Sequence, residues 1–280
     1  MNISVLGLVL GLLLLALPIY IIYAFDLRLM RRLLKSLAMM AVMVSAFGAI
    51  TALLMTCNIL WVNLLFGVAL ALLSSVVVVL RSGLRQRRLL LPVMAASVAP
   101  LLLVSLYVLL LVLSLKEPFD TRFFIPILGL MVGMASGLIA RALHAYYMGL
   151  AHHNELYYYL LGNGATHREA VRHFVRRGFQ AALVPVMRQM SGMFLTTAPA
   201  LMLGLVMSGV GVWTAALLEV VVLLAVTVYA LTTFWLAILL SRRYAFDEYE
   251  RLRPMKKGEA PVAPTSPVAP ERVERMDREE

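Results

Sequence analysis

Apolar residues run along this chain in long blocks rather than alternating with polar ones. A bilayer core takes about 20 consecutive apolar residues in a helix. Seven blocks reach that length: 3–24, 37–56, 59–80, 89–113, 123–143, 182–206 and 212–240. The pattern predicts an all-α polytopic membrane protein with about seven transmembrane helices. The second and third blocks are joined only around Cys57 and Asn58. The sixth and seventh are joined only through Met207-Ser208-Gly209-Val210-Gly211, so each of these pairs turns within an interface.

The polar residues between the blocks set the orientation, because loops rich in Lys and Arg stay on the cytoplasmic side. With the N-terminus outside and the C-terminus inside, 23 of the 25 Lys and Arg fall in four inward regions, and only Lys116 and Arg122 lie outside. Arg141 and Arg188 fall within nominal blocks near their inner ends, where a long side chain can snorkel to the interface. The first block has no basic residue before it, and its cluster Arg28, Arg31, Arg32 and Lys35 follows it. It therefore reads as a retained helix rather than a secretory signal.

Composition agrees: 62% of the 280 residues are hydrophobic and 14% charged, against about 45–50% and 25% in soluble domains. The net charge of +10 is a topology signal and a neighbour for anionic headgroups. Nucleic acid is an unsuitable partner, since no basic module with stacking aromatics stands outside the blocks. The single cysteine, Cys57, excludes a disulfide framework and Cys-based clusters. The chain divides into a membrane domain, 1–253, and a tail, 254–280. The tail is rich in Pro, Glu and Arg, carries five cations and six anions, and is predicted to be disordered.

Candidate chemistry is sparse. There is no GxxxxGK[ST], HExxH or GxSxG motif, so the chain neither binds ATP through a P-loop nor presents a catalytic constellation; no cofactor is expected. His144, His152, His153, His167 and His173 all lie in the fifth-to-sixth connection, where a solvated face outweighs a metal site. Met187, Met190 and Met193 share a helical face that Met131 and Met134 could join, but with no histidine or cysteine beside them they read as packing rather than a soft-metal site. Gly129, Gly133 and Gly137 repeat every four residues, and Gly7 with Gly11 forms another GxxxG. Such spacing predicts close helix packing within one subunit, and is compatible with a helix lining a moving interface. Glu219 stands alone inside the seventh block. An ionised carboxylate there is costly, which leaves two readings: a residue of a wet cavity or ion path, or a neutral acid hydrogen-bonded to a neighbouring helix.

The cytoplasmic connection, about 144–181, is the most structured piece outside the membrane. A helix through Tyr157, Tyr158, Tyr159 and Leu161 meets Gly162-Asn163-Gly164, a helix stop. Thr166-His167-Arg168-Glu169 then supplies a capping box for a short basic helix leading into the sixth block. This helix–break–helix is either a docking element for a partner or a connector lying on the membrane.

Here the sequence resembles the FetB-like family of ABC transporter permeases, associated with iron export and related to plant aluminium-sensitivity permeases. The resemblance is carried by Gly164-Ala165-Thr166-His167-Arg168-Glu169-Ala170, Arg177-Gly178-Phe179-Gln180-Ala181-Ala182-Leu183-Val184-Pro185 and Ala198-Pro199-Ala200-Leu201-Met202-Leu203-Gly204, with Gly209 and Glu219 beyond. It covers about 26–253 and is most specific in the last hundred residues. Several polar family positions are apolar here, and the family's late Gln is Glu219.

The resemblance implies a dimeric permease of the bacterial inner membrane, itself not an enzyme, that exports a metal ion with energy from a separate cytoplasmic ATPase. Gly164, Ala165, Thr166, Arg168 and Glu169 would couple to that ATPase. Glu219, Pro199, Gly204 and Gly133 are candidates for the translocation path. An amphipathic or lipid-like substrate on the same scaffold, or a non-transport membrane scaffold, are the alternatives.

Overall fold

A computed structural model describes residues 13–25, 29–57, 59–84, 87–114, 117, 119–193, 198–247 and 252. Two compact units emerge, 1–58 and 59–280. The first contains helices α1 (Ala16–Ala24) and α2 (Met30–Cys57). Along α2, Ser36, Thr51 and Thr56 turn their hydroxyls back onto the carbonyls of Arg32, Phe47 and Leu53 at 2.7–2.8 Å. Each polar group is thus satisfied within the helix, as a hydrocarbon surround requires.

The second unit contains seven more helices: α3 (Leu60–Arg81), α4 (Leu90–Tyr107), α5 (Thr121–His152), α6 (Asn154–Gly162), α7 (His167–Ser191), α8 (Ala198–Met207) and α9 (Val212–Ala245). A 3-10 turn, Arg87–Leu89, leads into α4, which widens into a π segment at Val108–Val112. Helix α5 lies at the centre, against α3, α7 and α9, while α4 packs on α3 and α9. The core is aromatic and aliphatic: Phe124, Leu128, Tyr146, Tyr147, Phe174, Tyr229 and Phe234 are each less than 2% exposed.

Among the described residues, five helices are long and apolar enough to cross a membrane: α2, α3, α4 with its π extension, α5 and α9. Of the first predicted block, only the nine-residue α1 and its flanks are described. The sixth block, 182–206, is not one helix. The basic helix predicted to lead into it is its own first half, running unbroken from His167 to Ser191. Helix α8 begins only at Ala198. Polar Arg188, Gln189 and Ser191 and then Gly192 end α7 where the block would have continued. The tail 254–280 and the Gly7–Gly11 motif lie outside the described residues.

Buried polar groups pin the helices together. Asn63 of α3 donates to the carbonyl of Phe119 at 2.9 Å and to the Thr121 hydroxyl, at the start of α5, at 2.8 Å. The Ser75 and Ser97 hydroxyls meet at 2.7 Å between α3 and α4. Tyr147 of α5 donates to Ser241 of α9 at 2.5 Å. Helices α3 and α9 each begin with an exposed tryptophan, Trp61 and Trp213, and end in arginine. That is the arrangement of an interfacial aromatic at one membrane face and cations at the other.

Candidate functional site

The α6–α7 loop is built from local rules. Three backbone bonds close α6: Asn163 N–H to the Tyr159 carbonyl at 3.1 Å, Gly164 to Leu161 at 3.0 Å and Ala165 to Leu160 at 3.0 Å. Gly164 sits at φ +85°, a conformation side chains resist, which is why glycine ends the helix here. Thr166 and Glu169 then form the capping box of α7. The Glu169 carboxylate accepts from the Thr166 backbone N–H and from its hydroxyl, both at 2.8 Å. The backbone bond, then the hydroxyl bond, hold the Glu169 carboxyl below its ordinary pKa.

Gly164, Thr166, Arg168 and Glu169 are exposed and Ala165 partly so, whereas His167 is buried. The inner side of the loop is an anchor. Tyr157 and the His167 Nδ1 hydrogen-bond at 2.9 Å. Phe246, just past α9, stands edge-on to the His167 ring at 4.6 Å and tilted to Tyr157 at 5.8 Å. A rigid, exposed tip thus rests on an aromatic base shared by α6, α7 and the end of α9.

Helix α7 carries that tip inward. Its buried stripe is Ala170, Phe174, Gly178, Ala182 and Val186, one residue per turn. At Gly178 a side chain would run into the Phe234 ring of α9 and stand 3.2 Å from the Ala142 carbonyl of α5. Three helices meet there at a distance only glycine permits. Gly149 faces Phe174, and Ala181 lines one cavity with Gly137 and Ala140. The helices therefore run antiparallel in a consistent register. Arg188 lies ten residues past Gly178, beyond Pro185 within the same helix, and is exposed on the protomer.

The proposed path residues fare differently. Glu219, on the second turn of α9, is 4% exposed, and its Oε1 has no hydrogen-bond partner among the described residues. Gly133 and Gly204 face open space, with nothing within 4 Å of where a Cβ would stand, and the same holds at Gly137. Close packing within the subunit, expected of the small-residue face, is therefore absent at Gly133 and Gly137. Pro199 lies in the first turn of α8. None of these four residues lines the cavity of about 610 Å³ formed by Arg81, Gly137, Ala140, Arg141, His144, Ala145 and Ala181.

The methionine face also separates. Met131 is buried in the core, while Met187 and Met190 are exposed. Among the described residues no three His, Cys, Asp or Glu side chains are grouped to hold a metal ion. The histidines are dispersed, His144 on the Ser82 carbonyl and His152 on that of Met148, both at 2.8 Å. Sequence reasoning missed Gly178 as a helix crossing and the anchoring role of His167. A glycine amid larger residues in a helix hints at the first; the second depends on tertiary register.

Comparison with known proteins fits this architecture. A family model described as "Uncharacterised protein family (UPF0014)" matches residues 5–246. "UPF0014 membrane protein STAR2" of Oryza sativa subsp. japonica is 32% identical over 128 residues, 46% of this chain and 45% of the relative. The match thus spans less than half the length of that relative. No solved structure matches the chain. The resemblance drawn from the loop and last-span motifs therefore holds, and the chain belongs to the UPF0014 family of membrane proteins.

Proposed function

We propose that the protein is the permease subunit of an ABC-type transporter, working as a homodimer with a separate cytoplasmic ATPase and exporting a metal ion such as iron across the bacterial inner membrane. The observation that carries this reading is the α6–α7 tip. It is exposed and locally rigid at Gly164–Glu169, and continuous through α7 with the three-helix contact at Gly178. A force applied at such a tip moves α7 as a rod, and α7 cannot move without displacing Phe234 and the α5 backbone. Residues 144–181 are then the coupling segment of a membrane domain, 1–253.

In this reading the path runs past Glu219, with Gly133, Gly204 and Pro199 around it. The unpartnered Glu219 oxygen supports it, because a buried polar atom without a partner costs free energy unless function uses it. Arg188, exposed on α7, joins that set in this reading: a guanidinium within a bilayer is costly against lipid, about 2.5–3.5 kcal/mol on insertion scales, and is stable against water. An amphipathic substrate is the second reading. It is favoured by Ala200 and Leu203, which stand where the family carries Gly and Thr or Ser.

The test uses the full chain co-expressed with an ATPase subunit whose gene neighbours its own. Glu169→Lys reverses the charge at the tip and leaves the membrane helices untouched. Co-purification and transport are expected to fall together while insertion stays normal. Unchanged co-purification with unchanged transport would return the loop to a surface connector.

A further inference from the structure

The cavity between α3, α5 and α7 stands apart from the proposed path and has a chemistry of its own. Arg81 closes α3, and Arg141 and His144 lie three residues apart on α5, hence on one face. The remaining wall is glycine and alanine, and no lining residue is acidic. Small residues let the two guanidinium groups approach a common space of about 610 Å³. Among the described residues neither is paired with a carboxylate.

The third polar group is held in place. The His144 Nδ1 lies 2.8 Å from the Ser82 carbonyl. A carbonyl only accepts, so Nδ1 carries the proton and Nε2 is left for the cavity. Ser82 is itself buried, with its hydroxyl bonded back to the Val79 carbonyl at 2.8 Å. Gly83, at φ +71°, turns the chain away behind it. The imidazole is thus oriented by backbone rather than left to solvent.

Position decides what such a cavity takes. Arg81 and Arg141 sit where the apolar runs of α3 and α5 end, at headgroup level for a bilayer-spanning pair. Guanidinium groups bind phosphate oxygens bidentately, and basic pockets between membrane helices suit anionic headgroups. We propose that this cavity binds the phosphate of an anionic phospholipid, clamped by Arg81 and Arg141, with the His144 ring fixed in the wall beside them. Membrane embedding is all it requires; it holds whether or not the protein transports anything.

The test is lipid retention by the purified full-length protein in neutral detergent, read by native mass spectrometry with added phosphatidylglycerol or phosphatidylcholine. Wild type is expected to retain phosphatidylglycerol selectively. Joint Arg81→Gln and Arg141→Gln substitution should weaken that retention about 30-fold, from the attraction of two surface cations to an anionic lipid. Phosphatidylcholine binding should not change. Gly137→Leu fills the cavity from a position with open space around it, keeps both arginines, and should lower retention even if the double variant folds poorly. Retention that is equal in wild type and Gly137→Leu overturns the proposal. Displacement of phosphatidylglycerol by an equal concentration of inorganic phosphate also overturns it, because the site would then belong to a free anion.

Discussion

Glu169 and Glu219 are the same side chain in opposite circumstances. Glu169 is exposed, yet its carboxylate is held by two bonds from Thr166. Glu219 is 4% exposed, yet its Oε1 is held by nothing among the described residues. Water would have solvated the first without help and cannot readily reach the second. The loop spends hydrogen bonds on rigidity where solvent would have sufficed. The outer part of α9 leaves a polar atom waiting where solvation is scarce. A bonded surface carboxylate organises structure, whereas an orphaned buried one marks a candidate site.

The contrast can be broken first at the helix connecting the loop to the core. Gly178→Val forces a branched side chain against Phe234 and the Ala142 carbonyl. Overpacking of this kind costs about 3 kcal/mol. Thermal unfolding in detergent should show a marked loss of stability, and transport should vanish with it. A variant of wild-type stability would mean that α7 is not clamped to the core.

Glu219 comes next. Glu219→Leu should leave the fold intact and abolish transport, while Glu219→Gln should retain part of it. If Glu219→Leu transports normally and unfolds at a higher temperature, the carboxyl is a structural burden rather than a path residue. Arg188 offers a readout without a known substrate. In a Cys57→Ser background, Arg188→Cys should react with a membrane-impermeant thiol reagent as readily as an exposed loop cysteine. Protection from it places that position against lipid or protein.

The smallest effect belongs to the loop itself. Thr166→Ala removes the cap and should cost about 1 kcal/mol, read as faster amide exchange in the first turn of α7. The same contact sets a pH dependence. The folded pKa of Glu169 is depressed. Its contribution is therefore full above the ordinary carboxylate range and is lost as pH falls through the lower folded value. Amide exchange at His167–Ala170 should accelerate over that acid window in wild type and show no such step in Glu169→Gln.

Much of this architecture is legible in the chain. Five apolar blocks correspond to α2, α3, α4 with its π extension, α5 and α9, because hydropathy alone decides which segments lipid accepts. Helix ends were less legible. Helix α5 continues nine residues past the block that ends at 143, since nothing in Arg141–His152 breaks a helix once the membrane is left behind. The sixth block failed as a single helix for the converse reason: averaged hydropathy overlooked a polar turn around Arg188 and Ser191. The capping box and the Gly164 stop were readable because their causes are local. The Gly178 crossing and the shared cavity of Arg81 and His144 were not, because each depends on residues more than thirty positions apart.

In the proposed reading, where α7 enters the bilayer as far as Arg188, that guanidinium has an electrical consequence. A fixed charge midway through a bilayer lies partway down the transmembrane potential, where a full crossing is worth about 2.3 kcal/mol per 100 mV. If α7 slides or tilts when its tip is pulled, that guanidinium changes its place in the field. The two end states of the motion then differ in energy by an amount the membrane itself sets. In an energised membrane one of them would be favoured, and collapsing the potential would shift the balance between them without touching a contact.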